Sequence, residues 1–307
     1  MMDGLKLAFG TLSVLPAGVP GKVDRRVAGR AMTLAPLVGL VLGGIAGLVA
    51  ATAVELRPQS PLLAAVLGVV VLVGLSGALH LDGLADTADG FGSRRDRETK
   101  LRIMKQSDIG PFGVISIVAV LLIDVAALHA CIQNDFGWQA LLIAGVASRL
   151  TLPWSCRTSV PSARPDGLGA MVAGTVRPYA AALVTLTSVA FAAVLGWLTS
   201  WAALHPSTAV RGDLPWYSNG YPVIRSTEVS SDHWIGVSAS SVSRSSGIST
   251  LELAVLGSTA AVLVAVLLAL AITRRTRRSL GGITGDTLGA TVELALPLTL
   301  LTLAFTT

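Results

Sequence analysis

Apolar residues in this chain come in long uninterrupted runs, not in strand-like alternation. Seven runs stand out, at 34–54, 61–79, 111–131, 138–154, 178–204, 251–273 and 288–306. Most approach the roughly 20 residues that carry an α-helix across a bilayer. A water-soluble fold has no use for several such runs in series. The pattern predicts an all-α fold: a polytopic membrane helical bundle of about seven transmembrane helices, forming a single integral-membrane domain over residues 1–307. The short connections at 55–60 and 132–137 suit antiparallel neighbours. Ahead of the first run, the apolar stretch near the N-terminus is short, follows Asp3, and is broken by Gly10, Pro16 and Pro20. That make-up is wrong for a signal peptide. It suits an amphipathic helix near the membrane surface.

Composition agrees with this reading. The chain is 52% hydrophobic and only 13% charged, about half the charge of an ordinary soluble domain. Its net charge of +5 would raise nucleic acid as a partner for a soluble protein, but here the basic residues have a simpler use. With the N-terminus in the cytoplasm, the segments 1–33, 80–110, 155–177 and 274–287 hold 18 Lys and Arg, against four on the opposite side. Such a split orients membrane helices. The expected partner is therefore the lipid bilayer of the cell (inner) membrane, with no nucleic acid, and an oligomer is left open. Cys131 and Cys156 lie in or beside apolar runs, with no disulfide or zinc spacing, and read as packing residues. Residues 205–250 differ from the rest: ten serines fall between Ser226 and Ser249. They read as a flexible non-cytoplasmic loop or an insertion.

Candidate chemistry concentrates in HLDGLADTADGFGSRRDRETKLRIMKQSDIGPFG, residues 80–113. Asp82, Asp86 and Asp89 stand at i, i+4 and i+7, so a helix puts all three carboxylates on one face. Like charges so close repel, and a divalent cation would offset them. Mg²⁺ takes oxygen ligands and bridges carboxylates to phosphates. Arg94, Arg95, Arg97, Lys100, Arg102 and Lys105 follow directly, and such cations hold phosphate oxygens. Metal-holding acids beside phosphate-holding cations are the equipment for phosphoryl transfer, which is catalysed mainly by positioning and charge neutralisation. A plain solvated loop is the competing reading, but a one-face acidic stripe is a poor way to build one.

A second cytoplasmic element is RRTRRSLGGITGDTLGATVEL, residues 274–294. Its arginines read as a topology anchor. Gly281, Gly282 and Gly285 make GGITGD a turn-rich loop ahead of a helix, where backbone N–H groups can meet an anion. It is no Walker A loop, for no GK[ST] follows. Asp286 falls on the same predicted side as Asp82, and Glu293 shares its helix face inside an apolar run, where ionisable groups are costly. Asp124, His129 and His80 are weaker signals. Arg149, within an apolar run, either pairs with an acid or reaches substrate phosphate. Arg157, Arg164 and Arg177 read as orientation charges.

Taken together, HLDGLADTADGFG…RIMKQSDIGPFGV, the closing RRSLGGITGDTLGATVEL, and the opening AFGTLSVLP with LAPLVGLVLGG resemble the cobalamin synthase family, the adenosylcobinamide-GDP ribazoletransferases. The resemblance covers most of residues 7–200 and 251–305. It implies a multipass membrane enzyme that joins the corrinoid nucleotide adenosylcobinamide-GDP to α-ribazole or its 5′-phosphate, releases GMP, and uses Mg²⁺. Carried onto this chain, it implies metal ligands among Asp82, Asp86, Asp89 and Asp286, with the first three as catalytic acids of interchangeable role. Arg102, Lys105, Arg149, Gly282 and Thr284 become the expected substrate-binding residues, in a site facing the cytoplasm. Residues 205–250 depart from the family pattern. Two other classes compete. CDP-alcohol phospholipid phosphotransferases also use spaced aspartates, but their DG is followed by an AR pair that is missing after Asp82-Gly83. An ion-coupled transporter would hold its acids near the bilayer midplane, whereas these lie at a loop and helix end.

Overall fold

The computed structural model of the chain describes residues 2–204, 217–218, 221–222 and 250–307. It is a helical bundle of α1 (Met2–Leu12), α2 (Arg25–Leu56), α3 (Pro61–Leu75), α4 (Leu79–Gly92), α5 (Arg97–Ile103), α6 (Pro111–Gln133), α7 (Gly137–Ser155), α8 (Gly167–Val172), α9 (Pro178–Leu204), α10 (Thr250–Leu280) and α11 (Gly285–Thr306). Between α9 and α10, Tyr217–Ser218 (β1) and Tyr221–Pro222 (β2) pair as a small antiparallel hairpin. The expectation of a flexible loop or insertion there otherwise lies outside the described residues.

The all-α membrane bundle of the sequence reading is present, with a different count of spans. Among the described residues α2, α6, α9, α10 and α11 are each long and apolar enough to cross a membrane. A sixth candidate is α3 with α4, bent by 87° at their junction. The run at 61–79 therefore does not continue straight. The run at 138–154 becomes α7, which is buried along nearly its whole length. Protein surrounds α7, so it can carry Gln139, Ser148, Arg149 and Thr151 where a lipid-facing helix could not.

The tightest packing in the bundle sets α2 against α7. Gly39, Gly43 and Gly47 form one ridge of α2 at four-residue spacing. A Cβ at Gly39 would collide with the Gly145 carbonyl, and one at Gly43 would stand 2.5 Å from the Leu141 carbonyl oxygen. With no hydrophobic drive between helices in lipid, such close backbone approach is how membrane helices gain dispersion energy. Around this pair one apolar core runs from Ala8 and Leu12 of α1 to Leu300 and Leu303 of α11. The short helix α1 covers α2 with its apolar face.

The segments rich in Lys and Arg gather at one end of the bundle. Arg97 donates to the carbonyls of Leu280 (2.7 Å) and Ala163 (3.0 Å). Arg25 donates to the carbonyls of Ala170 and Ala173. These bonds tie the loops before α2, α5, α8 and α11 into one polar cap.

Candidate active site

The acidic helix α4 owes its position to the break before it. Gly77 and Ala78 both take left-handed backbone, at φ 63° and 56°, which ends α3 and turns the chain. For an alanine this costs about 1–2 kcal/mol, so neighbours must hold it. Val14 does so in part, donating its N–H to the Leu75 carbonyl at 2.9 Å. Beyond the bend, α4 buries His80, Leu81, Gly83, Leu84 and Ala85 and leaves Asp82 exposed, with Asp86 and Asp89 half-buried. The i, i+4, i+7 spacing thus forms one stripe on a real helix.

That stripe meets Asp286. Helices α4 and α11 cross at glycines, and a Cβ at Gly83 would stand 2.7 Å from the Asp286 carbonyl oxygen. The Asp86 carboxylate lies within electrostatic reach of Asp82, Asp89, Asp286 and Arg164. Two segments some 200 residues apart in the chain therefore share one site.

Asp89 is already employed. Its Oδ2 accepts the Gly110 N–H at 2.7 Å and its Oδ1 the Gly113 N–H at 3.0 Å. Those donors are the unpaired amides at the start of α6, where a carboxylate also meets the positive end of the helix dipole. Asp89 fastens α6 to α4, a role that sequence spacing did not indicate.

Arg164, read from sequence as an orientation charge, is a site residue. Its Nη1 lies 3.4 Å from Asp286 Oδ2, and its Nη2 donates to the Leu101 carbonyl at 2.7 Å. It is brought there by a backbone bridge that pairs Ser162 with Ile283. The Ala163 N–H donates to Ile283, and the Ile283 N–H to Pro161. No motif in the linear sequence announces that bridge. A cavity of about 220 Å³ opens beside it, lined by Lys105, Arg164, Asp166, Thr284 and Asp286 among others. Lys105 lines this cavity as expected, with Nζ 3.5 Å from Asp166. Arg102 projects from α5 as an exposed side chain and is absent from the cavity wall. The helix carrying Arg102, with Lys105 in the turn just beyond it, is held by Asp96, which accepts the N–H and hydroxyl of Thr99; these bonds keep its carboxyl below the usual range.

Three expected substrate contacts are engaged within the protein itself. Gly282 is buried beneath Pro161–Ala163, so close that a Cβ would collide with the Pro161 carbonyl; its role is packing. Thr284 touches the cavity, and its hydroxyl caps α11 by accepting the Thr287 N–H in a reciprocal capping box while donating to Asp286 Oδ2 at 3.3 Å. Arg149 is fully enclosed, with Nη1 donating to Ser148 Oγ at 3.0 Å. Its surroundings are those of a core residue, away from the cavity wall. Buried charge is stable only when compensated, and Arg149 lies within electrostatic reach of the buried carboxylates Asp124 and Glu293, without a direct ion pair to either. His80 completes this set, its Nδ1 3.9 Å from Glu293 Oε1.

The donor chemistry suits a magnesium ion only in company. Among the described residues no three His, Cys, Asp or Glu groups form a ready metal cage. Asp82 and Asp86 nevertheless present carboxylates that no ion pair among the described residues uses up. Mg²⁺ typically binds through one or two carboxylates, waters and substrate phosphates, without an all-protein cage. The residues fit such a shared arrangement.

The family model described as Cobalamin-5-phosphate synthase matches residues 4–304. An adenosylcobinamide-GDP ribazoletransferase of Frankia casuarinae is 40% identical over 100% of this chain and 96% of its own length. One from Nocardioides sp. is 35% identical over 98% of each. One from Pseudomonas putida is 42% identical over 64% of this chain and 80% of its own length. The first two alignments and the family match all span residues 205–250, which sequence reading had set apart. No solved structure matches.

Proposed function

Because the chain belongs to the cobalamin-5-phosphate synthase family, we propose that it is a membrane adenosylcobinamide-GDP ribazoletransferase. It joins adenosylcobinamide-GDP to α-ribazole or its 5′-phosphate and releases GMP. The observation that carries the site assignment is the meeting of the α4 acids with the Asp286–Arg164 pair at one end of the bundle.

In this reaction a ribazole hydroxyl attacks the phosphorus nearest the corrinoid, and the bond to the GMP oxygen breaks. Arg164 and Lys105, at the cavity wall, hold diphosphate oxygens and offset their charge. Asp82 or Asp86 accepts the hydroxyl proton as the new bond forms. Asp89 keeps α6 and the acidic helix in register. Mg²⁺ would be held by whichever of Asp82 and Asp86 does not take the proton, with Asp286 nearby, and would neutralise the charge that develops on the leaving phosphate. The site faces the cytoplasm of the cell (inner) membrane, a reading supported by the 18 Lys and Arg of the segments at this end.

The test supplies adenosylcobinamide-GDP and α-ribazole to membranes containing the protein and measures GMP release against added Mg²⁺, with CDP-alcohol substrates as control. Asp82→Asn and Asp86→Asn should each lower turnover by about a hundredfold or more, the range seen on losing a group that acts on transition-state charge. Near-normal turnover in both folded variants would overturn the assignment.

A further inference from the structure

A second site lies away from the acids, where α2 and α9 leave the polar cap. Here the structure opens a cavity of about 820 Å³, lined by Arg25, Arg26, Arg30 and Arg177 and by no carboxylate. Arg26 and Arg30 are exposed and join no ion pair among the described residues. The acid just ahead of them in the chain, Asp24, is committed to Lys22 at 3.2 Å and to the N–H of Val27, and Asp3 of the adjoining α1 accepts the Gly21 N–H at 2.9 Å. Arg177 donates to the Tyr179 hydroxyl at 2.9 Å, which sets an aromatic ring at the rim.

Topology alone accounts for arginines at a helix start. It does not account for what lies beneath them. A second, apolar cavity of about 310 Å³ shares Thr33 and Leu34 with the basic one and continues down the same two helices. Its walls are Leu37 and Leu40 of α2 and Val184 and Phe191 of α9, with Val146 of α7 as its floor. The groove exists because α2 and α9 both lean on α7 and leave a gap between them. On α2 the positions 26, 30, 33, 37 and 40 form one face, so the slot is charged at the top and greasy below. From Arg26 to Leu40 it runs about 21 Å, enough for an acyl chain through one leaflet, which is about 15 Å deep.

We propose that this slot binds one anionic phospholipid, its phosphate on Arg26, Arg30 and Arg177 and an acyl chain between α2 and α9. A free phosphate or nucleotide would satisfy the mouth and leave the groove without an occupant. A neutral lipid would fill the groove and leave three cations unanswered. No residue lines both this cavity and the one beside Asp286, though a third cavity of about 520 Å³ shares Arg25 and Gly174 with the first and Ser162 with the second.

The experiment is native mass spectrometry of the full-length protein in neutral detergent, titrated with phosphatidylglycerol or with phosphatidylcholine of the same chains. No substrate is present, so the result is independent of the ribazoletransferase reading. The parent should bind phosphatidylglycerol about tenfold or more tightly than phosphatidylcholine, as two or three basic contacts predict. Arg26→Gln with Arg30→Gln should abolish that preference at an unchanged thermal midpoint, and Arg177→Gln should weaken it alone. Val184→Trp, which fills the groove, should lower retention of both lipids. Equal retention of the two lipids by the parent overturns the proposal. So does full preference in the arginine variants, or displacement of the lipid by millimolar inorganic phosphate, which would mark a free-anion site.

Discussion

Replacing Arg149 by methionine removes the single Lys or Arg buried in the described core. Asp124 is completely buried and Glu293 is 4% exposed, and both lie within its field. Methionine keeps most of the side-chain length, so the change is chiefly one of charge. Breaking a buried ionic set by deleting one partner costs about 3–5 kcal/mol, because the remaining charges stay desolvated and unanswered. At roughly 2–4 °C per kcal/mol for chains of this order, the thermal midpoint of Arg149→Met should fall by about 10 °C. The assay is tryptophan fluorescence during heating of the purified protein in mild detergent. Adding Asp124→Asn and Glu293→Gln removes the stranded charges and should recover more than half of the loss. A single variant within about 2 °C of the parent, less than 1 kcal/mol, refutes the reasoning. So does a triple variant less stable than the single one.

Gly39→Leu should prevent stable folding, since its side chain enters the α7 backbone at Gly145; Gly44→Leu, whose Cβ meets only Leu142 Cδ2 at 3.6 Å, should express as the parent does in a membrane-fraction assay. Asp89→Ala should cost about 1–2 kcal/mol of stability as a lost helix cap, read from the thermal midpoint, with hydrogen exchange rising at the first turn of α6; loss of turnover with neither change would move Asp89 into the chemistry. Gly282→Ala should push the 281–284 loop off Pro161, pull Arg164 from Asp286, and lower turnover while the midpoint shifts by only about 1–3 kcal/mol equivalent, the range for local overpacking. Normal GMP release from that variant would show that the loop contact does not position the site.

What was legible in sequence followed from repetition along the chain. Apolar runs announced the bundle, and the Asp82, Asp86 and Asp89 spacing announced the stripe, because both are local periods of a helix. Contacts between distant segments had no such period. Arg164 reaches Asp286 through a two-residue bridge between loops, and nothing near Arg164 in sequence marks it. Asp89 looked like its two neighbours because one carboxylate is written like another, and its capping of α6 depends on where Gly110 returns. The run at 61–79 was misjudged in length because Ser76, Gly77 and Ala78 end a helix without a proline. Arg149 was visible as an anomaly in an apolar run, but only packing could decide between a partner inside the core and a ligand outside it.

The enclosure of α7 also bears on how the protein is made. A helix that holds Gln139, Ser148, Arg149 and Thr151 enters lipid unwillingly by itself, for one central arginine alone adds about 2.5–3.5 kcal/mol to partitioning from the translocon. The segment must be accepted together with company, and α6, joined to it by three residues and carrying Asp124, is the first companion to emerge from the ribosome. The charge that would bar either helix is lessened when both arrive as a hairpin. The buried polar set is complete only when Glu293 of α11 is synthesised, so the centre of this bundle closes last.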